Sequence, residues 1–91
     1  MADPRQDPAL TAWIVSRVAE FAMLPPDRID TALPLTDYGL DSVYAVSLCA
    51  ELHDEFGFDV DPGATVAHPT VRRLAAHLVE LRDATGTTRV R

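Results

Sequence analysis

Apolar positions fall at helical spacing in three stretches of the chain. In the first, Leu10, Trp13, Ile14, Val18 and Phe21 share one stripe, which leaves Thr11, Ser16 and Glu20 outward. Asp7 followed by Pro8 supplies an N-cap and a first-turn proline, so a helix is predicted to begin there. Arg17 lies at the edge of the stripe and can lay its stem over it. Trp13 fits the stripe and reads as a core residue rather than a ligand platform. Pro25 and Pro26 stop the helix.

Residues 25 to 41 form a long connection, of a length more often functional than passive in compact domains. Its apolar residues Ile29, Leu33, Leu35, Tyr38 and Leu40 are expected to pin it to the helices, and Gly39 suits a left-handed turn. Asp41 is a good N-cap for a second helix over residues 42 to 56, ended by Gly57. This helix carries two stripes. Ala45, Leu48, Cys49, Leu52 and Phe56 form one; Val43, Val46 and Ala50 form another, displaced around the axis. One thin core cannot easily take both. A short turn of helix fits Ala64 to Ala67. Thr70 then caps a last helix that turns Val71, Leu74, Ala75 and Leu78 inward and Arg72, Arg73 and His77 outward or to the rim. The fold class expected is all-α: a small bundle of three longer helices plus one short helix. Its domain spans 7–83, between a flexible N-terminal end (1–6) and a flexible C-terminal end (84–91).

Charge narrows the function. The net charge is −6, and lysine is absent. The acids concentrate between Asp27 and Asp61, where Arg28 is the sole base. Such a middle repels phosphate backbones and favours basic protein surfaces, so no nucleic-acid partner is expected. No apolar run is long enough to span a bilayer, and "MADPRQDP" does not read as a secretory signal. The single cysteine, Cys49, permits no internal disulfide, which fits a cytoplasmic setting.

The candidate chemistry centres on Ser42. "GLDSV" is not the G-x-S-x-G nucleophile elbow, and His53, His68 and His77 belong to no recognisable triad. Cys49 and His53 stand four apart but do not complete a zinc site; Cys49 also fits the apolar stripe as a small buried hydrophobe. No catalytic residue and no metal site is therefore assigned. Because Asp41 already serves as the cap, Ser42 is left at the first helical position, facing solvent at the positive helix mouth. A phosphodiester on its hydroxyl would sit favourably there. Val43, Val46 and Ala50 would form an apolar docking strip bordered by Glu51, Asp54 and Glu55. The alternative is an acidic helical docking domain with no covalent arm, in which Ser42 is only a helix-start residue.

"DYGLDSVYAVSLCAELHDEFG" resembles the phosphopantetheine attachment region of acyl carrier proteins, and so does "HPTVRRLAAHL". The likeness covers about residues 8 to 82 and is greatest to type I polyketide synthase carriers. It implies a four-helix bundle with Ser42, preceded by Asp41, as the site of a 4′-phosphopantetheine taken from coenzyme A by a phosphopantetheinyl transferase. It also implies a non-catalytic carrier, a monomer as an isolated domain. Such a carrier presents thioester-bound acyl groups to a ketosynthase, acyltransferase or other enzymes of polyketide or fatty-acid-like biosynthesis. One departure is Ala50, where many carriers have a larger aliphatic residue on the partner face.

Overall fold

The computed structural model describes the backbone of residues 7–89 and the side chains of residues 7–83. Four α-helices follow in order: α1 (Pro8–Ala22), α2 (Ser42–Phe56), α3 (Ala64–Ala67) and α4 (Val71–Arg89). Two 3-10 turns, Pro26–Arg28 and Leu35–Tyr38, break the long connection between α1 and α2. Among the described residues there is no strand, only an isolated antiparallel bridge between Pro34 and Thr70. This is the all-α bundle the patterning predicts. The N-terminal end, 1–6, lies outside the described residues, as do positions 90 and 91. The helix of α4 continues through 84–89, where the sequence pattern suggests an end. Once a helix is nucleated, each added residue gains a hydrogen bond, so weak helix formers can extend it.

The caps form as the sequence predicts. Asp7 Oδ1 accepts the Ala9 and Leu10 N–H groups at 3.0 and 3.2 Å. Asp41 Oδ1 accepts Tyr44 N–H at 3.0 Å, and Thr70 Oγ1 accepts Arg73 N–H at 3.1 Å. Gly57 ends α2 with φ 78°, its N–H donating to His53 O at 2.8 Å. α1 ends on Met23, a non-glycine residue at φ 60°.

The core joins Leu10, Ile14 and Val18 of α1, Leu48 and Leu52 of α2, and Val71, Leu74 and Leu78 of α4. From the connection, Ile29, Leu35 and Leu40 are buried and Tyr38 packs against the core. Several positions differ from the sequence reading. Phe21 is 42% exposed and lies against the Tyr44 ring, with centroids 4.3 Å apart. Phe56 is 44% exposed and meets Trp13 edge-on at 5.2 Å. Leu33 is exposed as well. These three sit at element ends or in the connection, where too little of the bundle reaches to cover them. Conversely, Ala19 and Val79 are buried. Thr11 and Ser16, expected outward, are half-buried, and Ser16 Oγ donates to Trp13 O at 2.7 Å. α1 packs against α4 and both 3-10 turns, so its covered face is broader than one stripe.

Asp7 joins the two ends of the bundle. Arg82 Nη1 donates to its Oδ2 at 2.7 Å while Oδ1 caps α1. The Arg82 hydrogen bond, followed by the cap bond from Leu10, holds the Asp7 carboxyl below its ordinary value of 3.8. Because the folded value is the lower one, this contribution is whole above about pH 3.8 and is lost as pH falls through the folded value. Asp7→Asn keeps the cap, since asparagine caps about as well as aspartate, and is expected to cost about 0.2–1 kcal/mol at neutral pH through the lost charge facing Arg82. In urea titrations the gap from the unsubstituted protein should close in strong acid; a gap unchanged by acid would remove the ionic part of the account.

Candidate functional site

The segment Tyr38–Ser42 positions the site by alternating anchors. Gly39 takes φ 84°, and its N–H closes the preceding 3-10 turn onto Thr36 O at 3.0 Å. That turn drives Leu40 into the core. Asp41 then caps α2 through Tyr44 N–H, and Asp41 O accepts Ala45 N–H at 3.0 Å. With the cap supplied by Asp41, Ser42 is left exposed as the first residue of α2. Tyr44 anchors this first turn from the other side, its hydroxyl donating to Arg17 O at 2.9 Å. Burial, with Glu51 adding to it, pushes the Tyr44 phenol up to about 12, so it stays a neutral donor across the physiological range.

Beside Ser42 a mostly apolar cleft of about 470 Å³ opens between α2 and α3. Leu35, Leu40, Ala45 and Leu48 form its floor and near wall; Pro62 and Val66 form the far wall. Pro69 also lines it, and Pro69 O accepts Leu35 N–H at 2.7 Å, which ties the connection to the entry of α4. A second cavity of about 370 Å³ lies beside the C-terminal end of α2, lined by Phe56, Phe58 and the Asp7–Arg82 pair, with no serine, threonine, cysteine or histidine among its described lining residues.

The two stripes of α2 separate as their spacing requires. Ala45, Leu48, Cys49 and Leu52 are buried. Val43 is 73% exposed, Val46 is 55% exposed, and Ala50, Glu51 and Asp54 also lie on the surface. The acidic border is partly neutralised where Arg17 Nη1 stands 3.9 Å from Glu51 Oε1, in a contact half open to solvent. Val66 of α3, 82% exposed, extends the apolar surface across the mouth of the cleft from Val46. Sequence reasoning did not single out Val66 or Tyr44. A one-turn helix gives no periodicity from which to choose a face, and the Tyr44 bond to Arg17 spans 27 residues.

The other candidates have structural places. Burial, with Asp61 contributing, pushes the Cys49 thiol up, away from ligand or nucleophile chemistry. His53 Nδ1 is 3.3 Å from Phe58 O; the carbonyl can only accept, so this nitrogen carries the proton of that bond. Among the described residues no group of three His, Cys, Asp or Glu side chains could hold a metal ion, and no helix is long and apolar enough to cross a membrane.

A small helical bundle with an exposed serine at the start of its second long helix, next to an apolar cleft, is the arrangement of a carrier domain. A family model, "Phosphopantetheine attachment site", matches residues 12–78, and the chain belongs to that family. The group carried in this family is a covalently attached 4′-phosphopantetheine. The chain is 37% identical over 87 residues, 93% of its length, to the spectinabilin polyketide synthase system protein NorC of Streptomyces orinoci, of which it spans 4%. Among solved structures it is similar to a free-standing peptidyl carrier protein of Acinetobacter baumannii (TM-score 0.76, 32% identity, 84% of this chain and 95% of that one). It is also similar to the acyl carrier protein LipD of Actinoplanes friuliensis (TM-score 0.68, 44% identity, 91% and 97%). The matched structures are thus of the same size as this chain, whereas NorC is many times longer.

The residues present fit the group. A phosphodiester on the Ser42 hydroxyl would stand at the α2 N-terminus, where unpaired N–H groups and the helix dipole favour negative charge by about 0.3–1 kcal/mol. The cleft beside Ser42 offers it an apolar lining.

Proposed function

We propose that this chain is an acyl carrier that works in polyketide assembly, with the Ser42 hydroxyl as the attachment point of the arm. The observation that carries the reading is the division of labour at the start of α2: Asp41 makes the cap, so the Ser42 hydroxyl is surplus to the fold and open to solvent. A phosphopantetheinyl transferase is the partner that loads it. Ser42 Oγ bonds to the β-phosphorus of coenzyme A, the pyrophosphate P–O bond breaks, 3′,5′-ADP leaves, and a base of the transferase takes the hydroxyl proton. Among the described residues lining the Ser42 cleft there is no histidine, and the carboxylate there, Asp41, is engaged as the α2 cap through Tyr44 N–H. It acts as the substrate and shuttle of other enzymes rather than as a catalyst.

When bound, the arm supplies a terminal thiol that holds acyl groups as electrophilic thioesters. The chain's own residues do the remaining work. The rigid first turn, pinned by Leu40, Asp41 and Tyr44, fixes where the tether leaves the surface. Tethering raises the effective concentration of cargo at each partner site. The cleft gives an apolar cargo a place out of water between visits. Val43, Val46 and Ala50, with the acids Glu51 and Asp54, form a surface for basic partners such as a ketosynthase or an acyltransferase. Its charge serves encounter rate more than affinity. Similarity to the carrier regions of polyketide synthases supports this setting and, with it, a cytoplasmic location.

Incubating the folded protein with coenzyme A and a broad-specificity phosphopantetheinyl transferase should add one phosphopantetheinyl group by intact mass. Folded protein that takes up none would instead favour an acidic docking domain without an arm. Val46→Asp tests the surface. Position 46 is more than half exposed, so thermal stability should move by no more than about 0.5 kcal/mol. Loss of an apolar anchor should cost about 1–2 kcal/mol of docking, a roughly five- to thirtyfold fall in acyl transfer below saturation. A large stability loss with unchanged transfer would reverse the assignment of the two faces.

A further inference from the structure

The wall of the Ser42 cleft formed by α3 is weakly built. None of its four residues is buried. The hydrogen bonds of the segment are local: Asp61 Oδ1 accepts Gly63 N–H at 2.9 Å, Thr65 Oγ1 donates to Pro62 O at 2.9 Å, and His68 N–H donates to Ala64 O at 2.8 Å. Such bonds hold the turn in shape without fastening it to the bundle. Ala64 touches the core, but an alanine offers little area. Just past α3 the backbone is held where Leu35 N–H donates to Pro69 O at 2.7 Å, and the tie of the segment to α4 is at the end of α3. There the His68 ring stacks on the His77 ring of α4, with centroids 4.1 Å apart and planes 16° from parallel. Both residues are half-buried.

We propose that the stacked His68–His77 pair is a latch that seats α3 against α4, and that protonating the pair releases α3 and opens the cleft beside Ser42. Two neutral imidazoles stack favourably, whereas two imidazolium rings at this distance repel. The titratable and charged groups acting on His68 all stand on α4. Its partial burial, then His77 and Arg73, disfavour its charged form, and Glu80 opposes them more weakly. The fold therefore holds His68 below the ordinary histidine value of 6.5. With the folded value the lower one, the latch is whole above about pH 6.5 and is lost as pH falls through the folded value. Because Pro62, Gly63, Thr65 and Val66 all line the cleft, a freed α3 removes one wall and leaves the α2 side in place. A carrier entering a mildly acidic microenvironment would thus expose its cargo without unfolding.

The role of the cleft rests on the carrier reading above, but the latch can be tested on the unmodified protein. NMR of labelled protein follows both histidine rings and the amides of 66–68 from about pH 8 to about pH 5, across the range in which histidine titrates. The expected result is that the 66–68 amides shift with the midpoint of His68, below its ordinary value. Their exchange with water should rise about tenfold beyond its intrinsic pH dependence, while buried amides of α2 and α4 stay protected. H77F keeps a flat ring but cannot be charged, and it should remove the rise in exchange even though the His68 ring remains. H77S loses the ring and should leave the 66–68 amides fast-exchanging even at the high end of the range. The proposal is overturned if exchange of the 66–68 amides ignores the His68 titration, if the rise in exchange persists in H77F, or if the whole bundle opens together. Failure to accept an arm would count against the carrier reading and leave these outcomes unaffected.

Discussion

Ser42→Ala is expected to yield a folded protein that a phosphopantetheinyl transferase does not load. The side chain removed is exposed, and the α2 cap is made by Asp41 through Tyr44 N–H. Alanine is the best helix former and suits the first turn at least as well as serine, so helix content and the unfolding midpoint should stay within about 0.5 kcal/mol of the unsubstituted protein. Loading should nevertheless fall to nothing, because the reaction needs an oxygen nucleophile at that point in space and a methyl group offers no lone pair. Intact mass after treatment with coenzyme A and transferase is the measurement, with circular dichroism as the control for folding. An adduct that survives the substitution would place the attachment elsewhere. Of the other hydroxyls on α2, that of Tyr44 is engaged with Arg17 O, and Ser47 is more than one turn away and does not line the cleft. Two variants sharpen the result. Asp41→Ala keeps the hydroxyl but loses the cap, at about 1 kcal/mol, and should load more slowly as the first turn frays. Ser42→Thr keeps a hydroxyl on a bulkier carbon and should retain the fold.

Leu52→Ala should do the reverse, leaving the attachment chemistry intact and removing the platform beneath it. Leu52 lies on the same helix as Ser42 and is fully buried, in the cluster that joins α2 to α1 and α4. Truncating a leucine in such a place removes its burial free energy and leaves a cavity, at a cost of about 2–5 kcal/mol. A domain of this length has about 5–14 kcal/mol to lose, so the loss is a large fraction of the whole. The thermal midpoint should fall by about 10–30 °C, since each kcal/mol moves a domain of this size several degrees. Loading should persist at temperatures where the variant remains folded. A loss below about 1 kcal/mol would show that α2 presents a different face to the core. The pairing of Leu52 with Val46 makes this a strong test: the two residues are six apart on one helix, and opposite outcomes are expected from them.

Much of the site was legible in the chain itself. Asp41, Gly39 and Gly57 mark backbone turns by their own chemistry, and all three do so where the sequence reading placed them. The α2 boundaries followed from those signals. The two stripes of α2 also followed, because a core this thin can bury only one of them. What was misjudged has a common cause. Phe21 and Phe56 fit their stripes by spacing, but each lies near the end of its helix. Periodicity reports which way a side chain points and says nothing of whether another element extends far enough to cover it. Thr11 and Ser16 show the converse, polar side chains half-covered because α1 is flanked on more than one side. The cleft was invisible for a further reason. Its walls come from residues as far apart as Leu35 and Pro69, and its volume depends on how far α3 stands from α2.

By itself the sequence determined the helices, their caps, the acidic character of the middle of the chain and the serine that begins α2, because each of these depends on side-chain chemistry acting over a few neighbouring residues. Only the tertiary structure decided which apolar side chains are covered, that a cleft opens beside Ser42, and that His68 and His77 meet face to face. Those features arise from the distances at which separate helices pack, and local spacing along a chain does not encode such distances.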